Sequence, residues 1–356
     1  MSSSSAQPLS NPYGATLAPP PTPAAQSNHV SSEAADALSR LFHHLPPSLS
    51  LPSRLSPRTV SPPVISFSPQ DPTFLNTHLS SFSKLGFFQL TNNLVSSELA
   101  KTAESEALSL FNLSKAQKQE FFSKTWPLGY EDGDDNNNTN ERSIESFCFD
   151  SSCSSEFSDS THSLQELTSK LGKIGLQTVE ALSCAMGFEK QLKEQDSPFS
   201  SLMWISEGSA DHKQSGRFYP YIISLQYQIR CRKYSVLADS GWVTVSPQID
   251  SVLVTVGDIA QVWSNGRLKK VRGRPVAIPG NKDDDSRCIT MSLLVTLPTD
   301  TTVTVAPFRS NHHENTDDNE EGDKKVFDAF SFEDYAWRVY HERFLFKDPL
   351  DRYRTK

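Results

Sequence analysis

Histidine and carboxylate side chains spaced to share a metal are scarce in this chain. His312-His313-Glu314 is its one His-x-acid string, built from the residue types that form mixed imidazole and carboxylate iron sites. It sits in a polar stretch beyond the last core-like apolar run, so it reads as an exposed loop, and a metal role there would require a rearranged site. Asp211-His212 offers the same two types in reverse order and is also read as a loop. The cysteines Cys148, Cys153, Cys184, Cys231 and Cys288 form no C-x-x-C pair of the zinc type. No serine or cysteine stands in a recognisable nucleophile-and-base arrangement. The basic run Arg267, Lys269, Lys270, Arg272 and Arg274 is interrupted by Leu268 and Val271. It is read as a strand leaving a turn with its charges on the wet face, in preference to a nucleic-acid patch. Trp242 and Trp263 are expected to be core anchors.

The chain that must position these residues has 356 amino acids, enough for one large β-rich domain with tails. Its net charge of −8 is local, because Glu131 to Glu141 and Glu314 to Asp323 hold eleven acids and no base, and the rest carries 34 bases against 31 acids. Neither a basic nucleic-acid binder nor a uniformly acidic body is implied. No apolar run reaches the roughly 18 residues of a membrane span. The expectation is a soluble, reduced, cytoplasmic protein with neither nucleic-acid nor membrane partners.

Residues 1 to 60 are rich in Ser, Pro and Ala and read as a disordered leader, with one short amphipathic helix at Ser32 to His44 that is read as a docking turn on the main domain in preference to a partner-binding helix. A plastid transit peptide is the weaker reading, since no Lys or Arg precedes Arg40. Residues 61–200 form an α-rich half: a strand at Val64 to Phe67, a helix from Thr73 to Lys84, a strand at Phe87 to Leu90, helices at Ser96 to Asn112 and Ser114 to Phe122, and a long helix from Leu164 to Met186 that stops at Gly187. Residues 201–300 change to strand periodicity, with runs at Tyr221 to Ile229, Trp242 to Val245, Val252 to Val256, Ala260 to Trp263 and Cys288 to Leu297 between turn sequences. Residues 301–356 hold a polar insert and a closing helix from Ser331 to Phe344. The fold class is α+β: a double-stranded β-helix, or jelly roll, with an α-rich N-terminal half and a C-terminal helix.

Several motifs in this order resemble the plant-type oxygenases dependent on 2-oxoglutarate and Fe(II), the group related to isopenicillin N synthase. They are Pro63-Val64-Ile65-Ser66-Phe67, Gly86-Phe87-Phe88-Gln89-Leu90 with Asn92, Leu128-Gly129-Tyr130, Asp239 to Val245, Val254 to Asp258, and Trp263-Ser264-Asn265-Gly266-Arg267. The resemblance spans roughly Pro63 to Tyr353 and implies a plant source.

The resemblance also implies where a two-histidine, one-carboxylate iron site would lie. Counting back from Leu225 puts the His-x-Asp pair on Tyr219 and Tyr221, and counting on from Ser264 puts the distal histidine on Gly273, followed by Arg274. A neutral phenol with a pKa near 10 is a poor Fe(II) ligand and glycine offers none. The family's Arg-x-Ser reads Arg287-Cys288-Ile289, so the arginine persists without the hydroxyl. For the two tyrosines core packing with a satisfied hydroxyl is favoured over ligand contact; for Arg287 a carboxylate ligand and a neighbouring acid stand even. The expectation is a non-catalytic protein that binds a small molecule, such as a carboxylate, or a protein partner, with neither Fe(II) nor 2-oxoglutarate as cofactor. The alternative is an active oxygenase with an atypical metal site.

Overall fold

The computed structural model describes residues 59–132, 145–150, 161–193, 199–208, 219–278, 288–298, 303–308, 325–342 and 347–355. The expected leader helix, Cys153, Asp211-His212, Arg287 and His312-His313-Glu314 lie outside them. The chain enters through β1 (Thr59–Val60) and β2 (Val64–Ser66), then one 3-10 turn and the single turn of α1 (Leu79–Phe82) lead to β3 (Phe87–Thr91). The longer helix expected over Thr73 to Lys84 does not form: the Asp71 carboxylate accepts from both the backbone N–H (2.8 Å) and the hydroxyl (2.6 Å) of Thr73, which holds a turn instead.

Helix α2 (Ser97–Phe111) starts where expected, with Ser96 Oγ accepting from Leu99 N, and α3 (Lys115–Phe121) opens on a capping box between Ser114 and Gln117. Strands β4 (Gly129–Glu131) and β5 (Ser146–Asp150) precede the long helix α4 (His162–Met186), the short α5 (Glu189–Lys193) and β6 (Ser200–Gly208). The apolar stripe of α4, including Leu164, Leu167, Leu171 and Ile174, is fully buried.

The second half contributes β7 (Ile223–Tyr227), β8 (Tyr234–Ala238), β9 (Gly241–Val245), β10 (Val252–Val256), α6 (Asp258–Trp263), β11 (Val271–Ala277), β12 (Cys288–Thr296), β13 (Thr304–Val305), β14 (Phe330–Ser331) and α7 (Phe332–Glu342). An eight-stranded sheet runs β2-β3-β10-β7-β12-β6-β5-β4, and a four-stranded sheet runs β1-β9-β8-β11. One face of the large sheet meets the helices: Leu225, Leu293 and Val295 pack at Gly175 of α4. The opposite face meets the small sheet, where Phe87 and Leu253 join Tyr234, Val236, Val245 and Val271 in a separate core. These are the two layers of a jelly roll.

Three expectations are corrected. Ala260 to Trp263 is not a strand but lies in α6, whose six residues are all buried; a short apolar run carries no period that separates the two structures. Trp242 is no core anchor, being 49% exposed on β9, whereas Trp263 is buried. The basic run does not present its charges to water throughout: Lys270 is fully buried, its Nζ 2.6 Å from both Asp258 Oδ1 and Asp348 Oδ1. Tyr335 donates to the other oxygen of Asp258 at 2.8 Å, and Leu350 N donates to Asp348 at 3.0 Å.

Removing the ammonium that bridges Asp258 and Asp348 takes from buried Asp258 its ion-pair partner, so Lys270→Met should destabilise the fold by about 3–5 kcal/mol in denaturant melts. Burial pushes the Asp348 carboxyl up, but Lys270, the Leu350 N–H and Arg272 more than reverse this and hold it below the usual value. A depressed folded-state pKa gives stability that is present above about pH 4 and lost as pH falls below it. Asp348→Asn should therefore flatten the stability–pH curve in that acid range, which melts at stepped pH will read.

Candidate functional site

Tyr221 leads into β7, and the turn at Gly257 lets it sit there. A Cβ at position 257 would lie 2.0 Å from the Tyr221 carbonyl oxygen and 2.5 Å from its ring, so only glycine fits. The Tyr221 hydroxyl then points between the sheets, donating toward the carbonyls of Gly273 (2.7 Å) and Val271 (3.0 Å), with Thr255 Oγ1 at 3.3 Å. Burial pushes this phenol well above its ordinary pKa, keeping it protonated.

Gly273 has φ +68°, and the β8–β11 pairing shifts register between Arg272 and Val276. This bulge re-aims the strand. Arg274 turns inward, its guanidinium carbon 4.5 Å from the Trp204 ring centre and Nη1 3.4 Å from Ser206 Oγ. Arg274 and Ser206 are half-buried. Burial pulls the guanidinium down to about 10, with Cys148, Glu131 and Tyr221 acting in the opposite direction, so it stays charged at neutral pH.

Tyr219 is buried between Trp126 (ring centres 5.9 Å apart) and Phe332 of α7 (6.1 Å). Tyr340, also on α7, lies 6.0 Å from Trp126 and 6.5 Å from Trp204, and donates to Glu131. The C-terminal helix thus packs an aromatic layer over this end of the barrel. Tyr221 and Gly273, 52 positions apart in sequence, are in direct contact, and Tyr219 lies in the aromatic layer.

A row of polar residues that the sequence did not single out crosses the large sheet beside Arg274. Cys148 pairs with Trp204, Trp204 with Ser292, and Gln226 with Leu253. Continuing the β7–β12 register by one residue sets Gln226 across from Ser292. Leu253 belongs to the core between the sheets, so the row faces the barrel interior. Trp204, Ser292 and Gln226 are 1%, 0% and 4% exposed, yet Trp204 Nε1, Ser292 Oγ and Gln226 Oε1 have no hydrogen-bond partner among the described residues. Buried polar atoms are normally paired, so three orphans in one row are a strong local signal. Where β7 and β12 stop pairing, a cleft lined by Leu167, Gln226, Arg230, Tyr234, Ile289 and Met291 opens.

Two family models cover more than half of the chain between them. The non-haem dioxygenase N-terminal model, described from morphine synthesis, matches residues 62–167, and the 2OG-Fe(II) oxygenase superfamily model matches 206–294. The chain belongs to the 2-oxoglutarate and Fe(II)-dependent oxygenase superfamily. Among curated members, gibberellin 2-beta-dioxygenase 1 of Arabidopsis thaliana is 24% identical over 330 residues, covering 83% of this chain and 92% of that protein. An aminocyclopropane carboxylate oxidase of Doritaenopsis sp. is 28% identical over 32% of this chain and 33% of its own length. Among solved oxygenase structures, JOX2 in complex with 2OG, Fe and JA superposes with TM-score 0.65 at 17% identity, covering 93% of this chain and 99% of that one. The rice dioxygenase for auxin oxidation gives 0.60 at 18% identity over 82% and 99%. These likenesses establish the jelly-roll fold expected from the sequence.

Tyr221→Phe deletes the donor shared by the Gly273 and Val271 carbonyls. Leaving such buried acceptors unpaired should lower stability by about 1–3 kcal/mol, measured by urea unfolding.

Proposed function

We propose that this superfamily member is a non-catalytic binding protein that uses the jelly-roll interior to hold a small carboxylate without Fe(II) or 2-oxoglutarate chemistry. The reading is supported by the donor set at the positions where motif spacing in the sequence puts the family's metal ligands. Tyr219 and Tyr221 supply phenols, Gly273 supplies no side chain, and the Tyr221 hydroxyl is committed to backbone carbonyls and held protonated by burial. Fe(II) in such sites takes imidazole and carboxylate ligands. Among the described residues, no group of three or more His, Cys, Asp or Glu side chains is arranged to hold a metal. Two phenols and a glycine at those positions do not fit the ion.

The competing reading, an active oxygenase with an atypical iron site, draws its ligands from Asp211, His212, His312, His313 or Glu314. Calorimetry on anaerobic, metal-free protein separates the two. The expected outcome is no saturable Fe(II) binding, with or without 2-oxoglutarate, even at millimolar iron. Micromolar binding near one ion per chain, abolished by His212→Ala or His312→Ala, would overturn the binding-protein reading and identify the ligands.

A further inference from the structure

We propose that the cleft where β7 and β12 part is a binding site for a small uncharged amide, held by the side chain of Gln226. It is a second site, separate from the carboxylate site above, and does not rest on that reading.

The sheet itself makes the opening. The β7–β12 ladder runs only from Ile223–Val295 to Leu225–Leu293, whereas β12 goes on pairing with β6 down to Cys288 and β7 with β10 up to Tyr227. Each strand is therefore held by its other neighbour while the two part, and Gln226 is the first residue of β7 beyond the last pair. Of the row that crosses the sheet, it is the member that lines the cleft. Gln226 is 4% exposed and its Oε1 has no partner among the described residues. The bond from Gln228 Nε2 (3.0 Å) goes to its backbone carbonyl and leaves the side chain unused. An unpaired buried carboxamide is costly, and a ligand that supplies the missing hydrogen bond removes that cost.

The surroundings select the chemistry of the ligand. Leu167 and Leu171 of α4 and Ile289 and Met291 of β12 give the cleft apolar walls. At its edge Arg230 Nη2 donates to Glu104 Oε2 at 2.6 Å and Nη1 donates to the other oxygen, so these two charges neutralise each other. Apolar walls around a neutral polar group favour an uncharged molecule, because an ion leaving water there has only a carboxamide to meet it. A carboxamide carries one acceptor and two donors, and the terminal torsion of a glutamine is soft, so either end turns toward the cleft. A ligand amide, with N–H and C=O side by side, matches both ends; a ketone of the same shape offers an acceptor alone. The cleft is narrow, which limits the ligand to a few heavy atoms.

The test uses the full chain and three probes of matched size, propanamide, butanone and propanoate, titrated by saturation-transfer NMR. Propanamide should bind about tenfold more tightly than either analogue, the worth of one hydrogen bond that they cannot make. Gln226→Leu should weaken propanamide by about tenfold and leave butanone unchanged, which shows the cleft intact. That variant should melt no lower than the parent, since the unpaired carboxamide is gone, whereas a glutamine with a purely structural role would lower the melting temperature. Ile289→Phe, which fills the cleft from the β12 side, should abolish binding of every probe with Gln226 still present. Propanamide bound equally by the parent and by Gln226→Leu, or propanoate bound more tightly than propanamide, would overturn the assignment. So would the absence of saturation transfer from all three probes, which would leave water as the partner of Gln226.

Discussion

The interior depends on a lysine ammonium held between two carboxylates. Lys270 is the residue before β11, Asp258 opens the helix after β10, and Asp348 belongs to the C-terminal tail. Three segments far apart in sequence are thus pinned at one buried point, with Tyr335 of α7 as a fourth member. An isolated buried charge is prohibitive, and a satisfied cluster is geometrically demanding, because every partner must hold its place. That demand fixes the start of β11 just before the bulge that turns Arg274 inward. It also fixes the root of α7, whose Phe332 and Tyr340 complete the aromatic layer.

Much of this was legible in the sequence. Helices α2, α3 and α4 announce themselves through capping serines and a long apolar stripe, and β7, β10 and β12 through short apolar-rich runs bounded by turn sequences. The basic run was misread because alternation of charged and apolar residues is the ordinary mark of a half-wet strand. Nothing local to Lys270 reveals that Asp348, 78 positions on, returns to meet it. The candidate site was only half legible for a related reason. Ser224, Gln226 and Gln228 alternate with apolar neighbours and look like a solvent face, but in a jelly roll that face looks inward toward the second sheet. In the sequence Arg274 is one more member of the basic run and the residue after Gly273, since its inward direction follows from a bulge.

The family models and the superposed structures speak to the backbone of this chain. Gly257, packed against Tyr221, shows how one residue shapes that backbone, since any side chain there would collide with the tyrosine. Between the sheets lie aromatic rings, a guanidinium and hydrogen-bonding atoms that have no partner among the described residues.

Four of the five tryptophans divide by environment, with Trp126 half-buried between them, in a way that makes the barrel interior optically addressable. Trp337 is 52% exposed and Trp242 nearly as much, whereas Trp204 and Trp263 are each 1% exposed. Emission from the exposed pair falls at the red side of the spectrum, and emission from the buried pair at the blue side. Trp263 stacks on Phe308, but Trp204 lies beneath the Arg274 cation with its N–H unbonded among the described residues. Any displacement of that guanidinium, or any new acceptor at the indole, alters the electric field across Trp204 and shifts the blue component alone. The chain carries its own spectroscopic gauge of what happens between the sheets.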